Sequence, residues 1–258
     1  MKEMLRLFYA FKLIILVLYG MDFVLHMTGG NPEWLWPVRW FQFFRNADSL
    51  VYFVGLLGLI FGVQVIRSPF DPKMKAGEFI FSFLFFAAFF SYGKIDHSLH
   101  GLILSSIFLS FINGEEKNDQ LAHRSAVSVF VFTYFLSGLW KLRIVIESSI
   151  DGILTFQLAR NMVIQGENNS LALSIMNMPM SLQSLIWVFV IVFELAGIFV
   201  VQKQQLIRAW GILLILFHAV TYFVMGVSFW EAQVVALILM VLGPASHYLL
   251  KPNFTSKI

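Results

Sequence analysis

Long apolar runs alternate with short polar breaks along this chain, and each run approaches the length a helix needs to cross a bilayer. The runs cover roughly residues 5–27, 49–66, 76–92, 97–113, 125–142, 183–202, 206–226 and 230–249. A helix takes about 20 apolar residues to cross the hydrocarbon core. The pattern therefore predicts an all-α membrane protein, a polytopic bundle of about eight transmembrane helices forming one domain over residues 1–258. Gly93-Lys94-Ile95-Asp96 alone parts the third run from the fourth, as in a tight helical hairpin. Ser98, His100, Ser105, Ser106 and Ser110 dilute the fourth run, so a re-entrant or tilted segment stands as the other reading there. Lys2 and Arg6 precede the first run as in a signal peptide. No small-residue cleavage site follows, and the run passes through Asp22 and His26, so a retained first helix is expected.

Two connections carry structure of their own. Residues 28–48 hold Trp34, Trp36, Pro37 and Trp40 with Arg39 and Arg45, the composition of a segment lying in the headgroup layer. Residues 143–182 form the longest polar stretch. Within it Ser149 to Val163 reads as a short amphipathic helix, with Ile150, Ile153, Leu154, Leu158 and Met162 at helical spacing, and Asn168-Asn169-Ser170 breaks it. With the N-terminus in the cytoplasm, the inner side carries Lys2, Arg6, Lys12, Arg67, Lys73, Lys75, Lys117, Arg124, Lys203, Arg208, Lys251 and Lys257. The outer side then carries Arg39, Arg45, Lys94, Lys141, Arg143 and Arg160. Cytoplasmic loops carry the excess of Lys and Arg, so both termini are expected in the cytoplasm and both long connections outside.

Composition agrees with the pattern. The chain is 59% hydrophobic and only 13% charged, against about 25% charged in a soluble domain. Its 29 Phe suit lipid-facing helices and dense bundle packing. It has no Cys, which excludes disulfides, thiolate catalysis and Cys-ligated metals. The formal charge of +3 fits attraction to anionic headgroups and gives no sign of nucleic-acid binding. The lipid bilayer is thus the first expected partner.

Against this background the intramembrane ionisable groups stand out, because each is costly in hydrocarbon. Tyr134, Gly138 and Lys141 are spaced i, i+4, i+7 and share one face of the fifth run. Gly138 leaves room beside Lys141 for a backbone or a ligand. In a dry pocket the Lys141 ammonium is destabilised and the amine becomes a usable base; at the helix end it instead snorkels to the headgroups. His97 opens the fourth run beside Asp96. Its i, i+3 spacing to His100 suits a metal, but no third ligand shares the spacing, so no metal is expected and a hydrogen-bonding role at a pocket rim is. Arg208, Gly211, Ile215, His218 and Tyr222 form a stripe on the seventh run, with His218 about 18 Å from its inner end, a depth at which Tyr222, Lys141 and His97 converge. Glu194 and Arg208 flank the Lys203-Gln204 turn and are expected as a structural ion pair, with a proton relay through Glu194 as the alternative. Glu231, beside Trp230, is expected at the outer water boundary.

At these residues the chain resembles a family. The run Tyr134-Phe135-x-x-Gly138-x-x-Lys141-Leu142 is similar to a segment of the vitamin K-dependent gamma-carboxylase-like group, the horizontally transferred transmembrane domain (HTTM) family. His97-Ser98-Leu99 is similar to its His-Ser motif at a helix start, and the stretch from Glu194 through Arg208 and Phe217-His218 to Gly226 resembles its late helical hairpin. In the carboxylases the Lys matching Lys141 deprotonates vitamin K hydroquinone, assisted by the His matching His97. Oxygen then turns the quinol into a strongly basic alkoxide, which takes a proton from a substrate Glu, and CO₂ adds.

The resemblance implies a quinol-type cofactor, with Lys141 and His97 as catalytic residues on the outer side. Tyr134 and Gly138 would then line the ligand site, and His218 and Tyr222 would bond the ring oxygens. The carboxylases also carry a large extramembrane C-terminal part that captures substrate protein. This sequence stops a few residues after its last expected span, so a membrane enzyme that binds and oxidises a quinol is expected ahead of a carboxylase-like enzyme acting on a protein substrate. The other expectation is non-enzymatic: a membrane scaffold, a maturation partner of another protein, or a small-molecule binding protein.

Overall fold

The computed structural model describes residues 1–26, 48–91, 97–165, 169–201 and 203–244. Every regular element among them is helical: α1 (Lys2–His26), α2 (Asp48–Arg67), α3 (Pro72–Ser91), α4 (His97–Leu109), α5 (Glu116–Ser148), α6 (Ile153–Gln165), α7 (Ser170–Met176), α8 (Met180–Val200), α9 (Gln204–Met225) and α10 (Trp230–Ala236), which runs on as a π-helical turn, Leu237–Val241. The Trp34, Trp36 and Trp40 segment and the Gly93-Lys94-Ile95-Asp96 turn lie outside the described residues.

Consecutive apolar helices pair as hairpins. α1 packs on α2 and α2 on α3; α5 lies between α4 and α8; α10 and its π-helical turn fill the space between α9, α4 and α1. The main core holds Phe8, Tyr9, Ile15, Phe86, Leu99 and Phe130, all almost fully buried. Outward faces are as apolar as inward ones. Phe199 is 69% exposed, Phe223 67% and Phe189 64%. Such a surface is unstable in water and ordinary against lipid tails.

Five helices are long and apolar enough to cross a membrane, within Lys2–Met21, Leu50–Arg67, Glu116–Ser148, Met180–Val200 and Gln205–Met225. The expectation of eight full spans is therefore not established. α4 has 13 residues, about 20 Å of helix, too short to cross about 30 Å of hydrocarbon unaided. Its polar tail explains the early end: Ser110 bonds back to Ile107, and the chain tightens through Phe111 and Ile112 into a turn. The π-helical turn closes with Leu242 N–H on Leu237 O at 2.8 Å. Leu239 O accepts instead from Nε2 of the buried His123, at 2.9 Å. A side chain at Gly243 would collide with both groups.

The expected amphipathic helix is present as α6. Leu158 is fully buried while Val163 is 81% exposed. It starts later than the spacing suggests because Ser149 (φ 76°), which ends α5, and Gly152 (φ 81°), just before α6, both have a positive φ that a helix does not admit. With α7 it forms a second small core, where Ile153, Leu154, Leu158 and Ala172 meet Trp187 and Ile191 of α8. This layer covers the end of the bundle where α5 finishes and α8 starts.

Candidate functional site

The residues that cluster lie on α5, α8 and α9. Gly138 lets α5 and α8 approach closely: a Cβ on it would sit 3.1 Å from Glu194 Cβ and from Leu195. One turn further on, Lys141 bends back and its Nζ donates to Ser137 Oγ and to both Glu194 carboxylate oxygens, each at 2.7 Å. Helical side chains lean toward the helix N-terminus. Lys141 on α5 and Glu194 on the antiparallel α8 therefore lean toward each other, which closes the difference in height between their backbones. Lys141 is 23% exposed and Glu194 6%, so the pair is open on the lysine side only.

One turn below Gly138, Tyr134 Oη lies 2.7 Å from His218 Nε2. The hydrogen on that contact depends on the imidazole tautomer, and in either case Nδ1 of His218 is buried without a partner. Aromatic rings surround the pair. Trp210 stands edge-on to Tyr134 with centroids 5.5 Å apart, Phe193 stacks on Trp210 at 5.6 Å, and Phe229 lies 4.8 Å from the imidazole. The site thus combines an acid–base pair, a phenol–imidazole pair and an aromatic wall. Among the described residues no group of three or more His, Cys, Asp or Glu is placed to hold a metal ion.

Tyr134, Gly138 and Lys141 lie along α5, and His218 of α9 meets Tyr134. Three other expectations differ. Tyr222 is 52% exposed and packs on Phe223; it sits in the last turn of α9, beyond the side chains that cover His218. Glu194 pairs with Lys141 and not with Arg208. The Arg208 guanidinium reaches Gly243 O at 3.5 Å, and its Nε is buried without a partner. Glu231 is buried, not at a water boundary, and accepts from Tyr19 Oη at 3.1 Å. The helix position of His97 is described, but its side chain lies outside the described residues.

One polar cluster is absent from the expectations. Lys12, counted among the inner-side charges, lies in the middle of α1, 1% exposed, and donates to Glu78 Oε2 of α3 at 2.9 Å. The signal was present: Lys12 and Glu78 each interrupt an apolar run, where a charge needs a partner. Comparison of the chain with family models, curated proteins and solved structures gives no match.

Proposed function

We propose that this chain is an HTTM-like integral membrane protein that binds a quinol-type amphiphile between α5, α8 and α9 and takes a proton from its hydroxyl, with Lys141 as the base. Dioxygen is the oxidant: it takes two electrons and two protons from the quinol and leaves as hydrogen peroxide, and the quinol leaves as the quinone. One observation carries the reading: an acid–base pair and a buried imidazole nitrogen without a partner stand a few helical turns apart beside one aromatic wall. Transfer of the Lys141 proton to Glu194 makes the amine available without leaving net charge in hydrocarbon, and the 2.7 Å contact suits that transfer. His218 Nδ1 would bond the second ring oxygen, with Tyr134, on the other nitrogen of that ring, holding the imidazole in place. His97 keeps its place in the proposal as a partner of the base. A cytoplasmic position for both termini belongs to the same proposal and puts the site toward the outer side.

Quinol-dependent oxygen uptake by the purified protein tests it. Wild type should consume oxygen, and Lys141→Ala should lower the rate by at least about 100-fold, the usual weight of a positioned general base; equal rates would overturn the enzyme reading. A second reading is a non-enzymatic scaffold or binding protein. It is favoured by the fact that all three ammonium hydrogens of Lys141 already have acceptors. It requires bound lipophile without oxygen uptake, in wild type as in Lys141→Ala.

A further inference from the structure

A second set of buried polar groups lies where α1, α3 and α4 meet, and the quinol chemistry above does not use it. Lys12 Nζ donates to Glu78 Oε2 at 2.9 Å and to Ser106 Oγ at 3.1 Å. Lys12 lies about 15 Å into α1, and Glu78 about 9 Å into α3. Stability alone is a poor reason for such a pair. Taking two charges out of water costs several kcal/mol per ion, and apolar residues of similar volume often serve a fold as well or better.

Two further features give the pair a use. The hydroxyl of Tyr9, on α1, is fully buried without a hydrogen-bond partner and lies within electrostatic reach of Glu78. An idle buried hydroxyl normally costs about 1–3 kcal/mol, which a fold built for stability alone would not leave within reach of the pair. The cluster also continues to one end of the bundle. Lys75 is on the same face of α3, one turn before Glu78, fully buried, and donates to Ile112 O in the turn between α4 and α5. Asp119 lies within electrostatic reach of Lys75, and its carboxylate accepts from the backbone N–H of Asn113 and Gly114 at 2.9 and 3.1 Å. Ionisable side chains therefore run inward from that end in the order Asp119, Lys75, Glu78, Lys12, with Tyr9 beside the innermost pair.

We propose that Lys12 and Glu78 form a proton-exchange site inside the bundle, loaded and unloaded through Lys75 from the end at which α1 begins. A proton leaves Lys12 Nζ as an O–H bond forms on Glu78, and the ion pair becomes a neutral amine and a neutral acid. The Lys75 ammonium, one turn before Glu78 on α3, then gives a proton to the Lys12 amine, and the acid proton of Glu78 passes to the neutral Lys75. The pair is charged again, and one proton has entered and one has left.

Infrared spectroscopy of the full chain in lipid nanodiscs, moved from H₂O to D₂O, tests this. Wild type should show a carboxylic acid C=O band that shifts on exchange within seconds and that Glu78→Gln removes. Lys75→Met, which leaves the ion pair intact, should slow that shift at least tenfold. If Glu78→Gln does not fold, Glu78→Asp assigns the band by displacing it. No Glu78 acid band across the stable pH range, or a band that exchanges at the same rate in wild type and Lys75→Met, would overturn the proposal.

Discussion

A lysine ammonium has three hydrogens to place, and Lys141 places all three, on Ser137 Oγ and the two oxygens of Glu194. The carboxylate is buried and the ammonium partly so. Removing one partner strands the other. Glu194→Gln should destabilise the protein by about 3 kcal/mol, the lower end for a broken buried pair, because Lys141 keeps some access to the outside. Lys141→Met should cost a similar amount by leaving the Glu194 carboxylate alone. The double variant Lys141→Met/Glu194→Leu should recover most of either loss. Thermal unfolding in detergent checks all three, and losses that simply add would show the pair uncoupled. The fifth run alone reveals that Tyr134, Gly138 and Lys141 share a face, because helical spacing is a local property. It does not reveal Glu194 as partner. Counting rise along each helix ranks backbone heights, whereas the ion pair depends on two side chains leaning opposite ways along antiparallel helices. Lys12 is obscured for a related reason: a charge near the start of a chain is easily counted with the loop, although the helix has already begun at Lys2.

At the scale of elements, the layer of α6 and α7 hangs on one polar side chain at the start of α8. Gln183 is buried; its amide nitrogen donates to Met176 O at 3.0 Å and Met178 O at 2.9 Å, and its oxygen accepts from the Thr155 hydroxyl. Gln183→Leu leaves both carbonyls and the hydroxyl unpaired, a loss of about 2 kcal/mol. Amide exchange should quicken across Ile153–Met176 and stay unchanged in α5 and α9; uniform quickening would mean the layer is not a separate unit. The amphipathic spacing makes α6 legible in the sequence, but α7 is not. The pattern presents Asn168-Asn169-Ser170 as a break, whereas Asn169 starts a helix, since its side-chain oxygen accepts from Leu171 N–H at 2.9 Å and Ala172 N–H at 3.1 Å. A helix of seven residues has too few positions to show a period.

For the molecule as a whole, the decisive element is α5. Its 33 residues extend about 50 Å, well beyond about 30 Å of hydrocarbon, so both of its ends stand clear of the lipid if it spans. Glu115, just before it, and Asp151, just after it, are both exposed. The chain contains no cysteine, so a single introduced thiol reports its own position. In intact cells a membrane-impermeant maleimide should label Asp151→Cys, and should label Glu115→Cys only after the membrane is opened. Lys12 no longer supports this orientation, because it is buried in an ion pair and the rule counts loop charges. Arg67, Lys73, Lys117 and Lys203 still place their excess at the end of the bundle that holds Glu115. The reverse labelling would turn the Lys141–Glu194 pair toward the cytoplasm and end the proposal of an outward-facing quinol site. Labelling of both thiols from one side would show that α5 does not cross, and the pair would then lose the low-dielectric surroundings on which its chemistry depends.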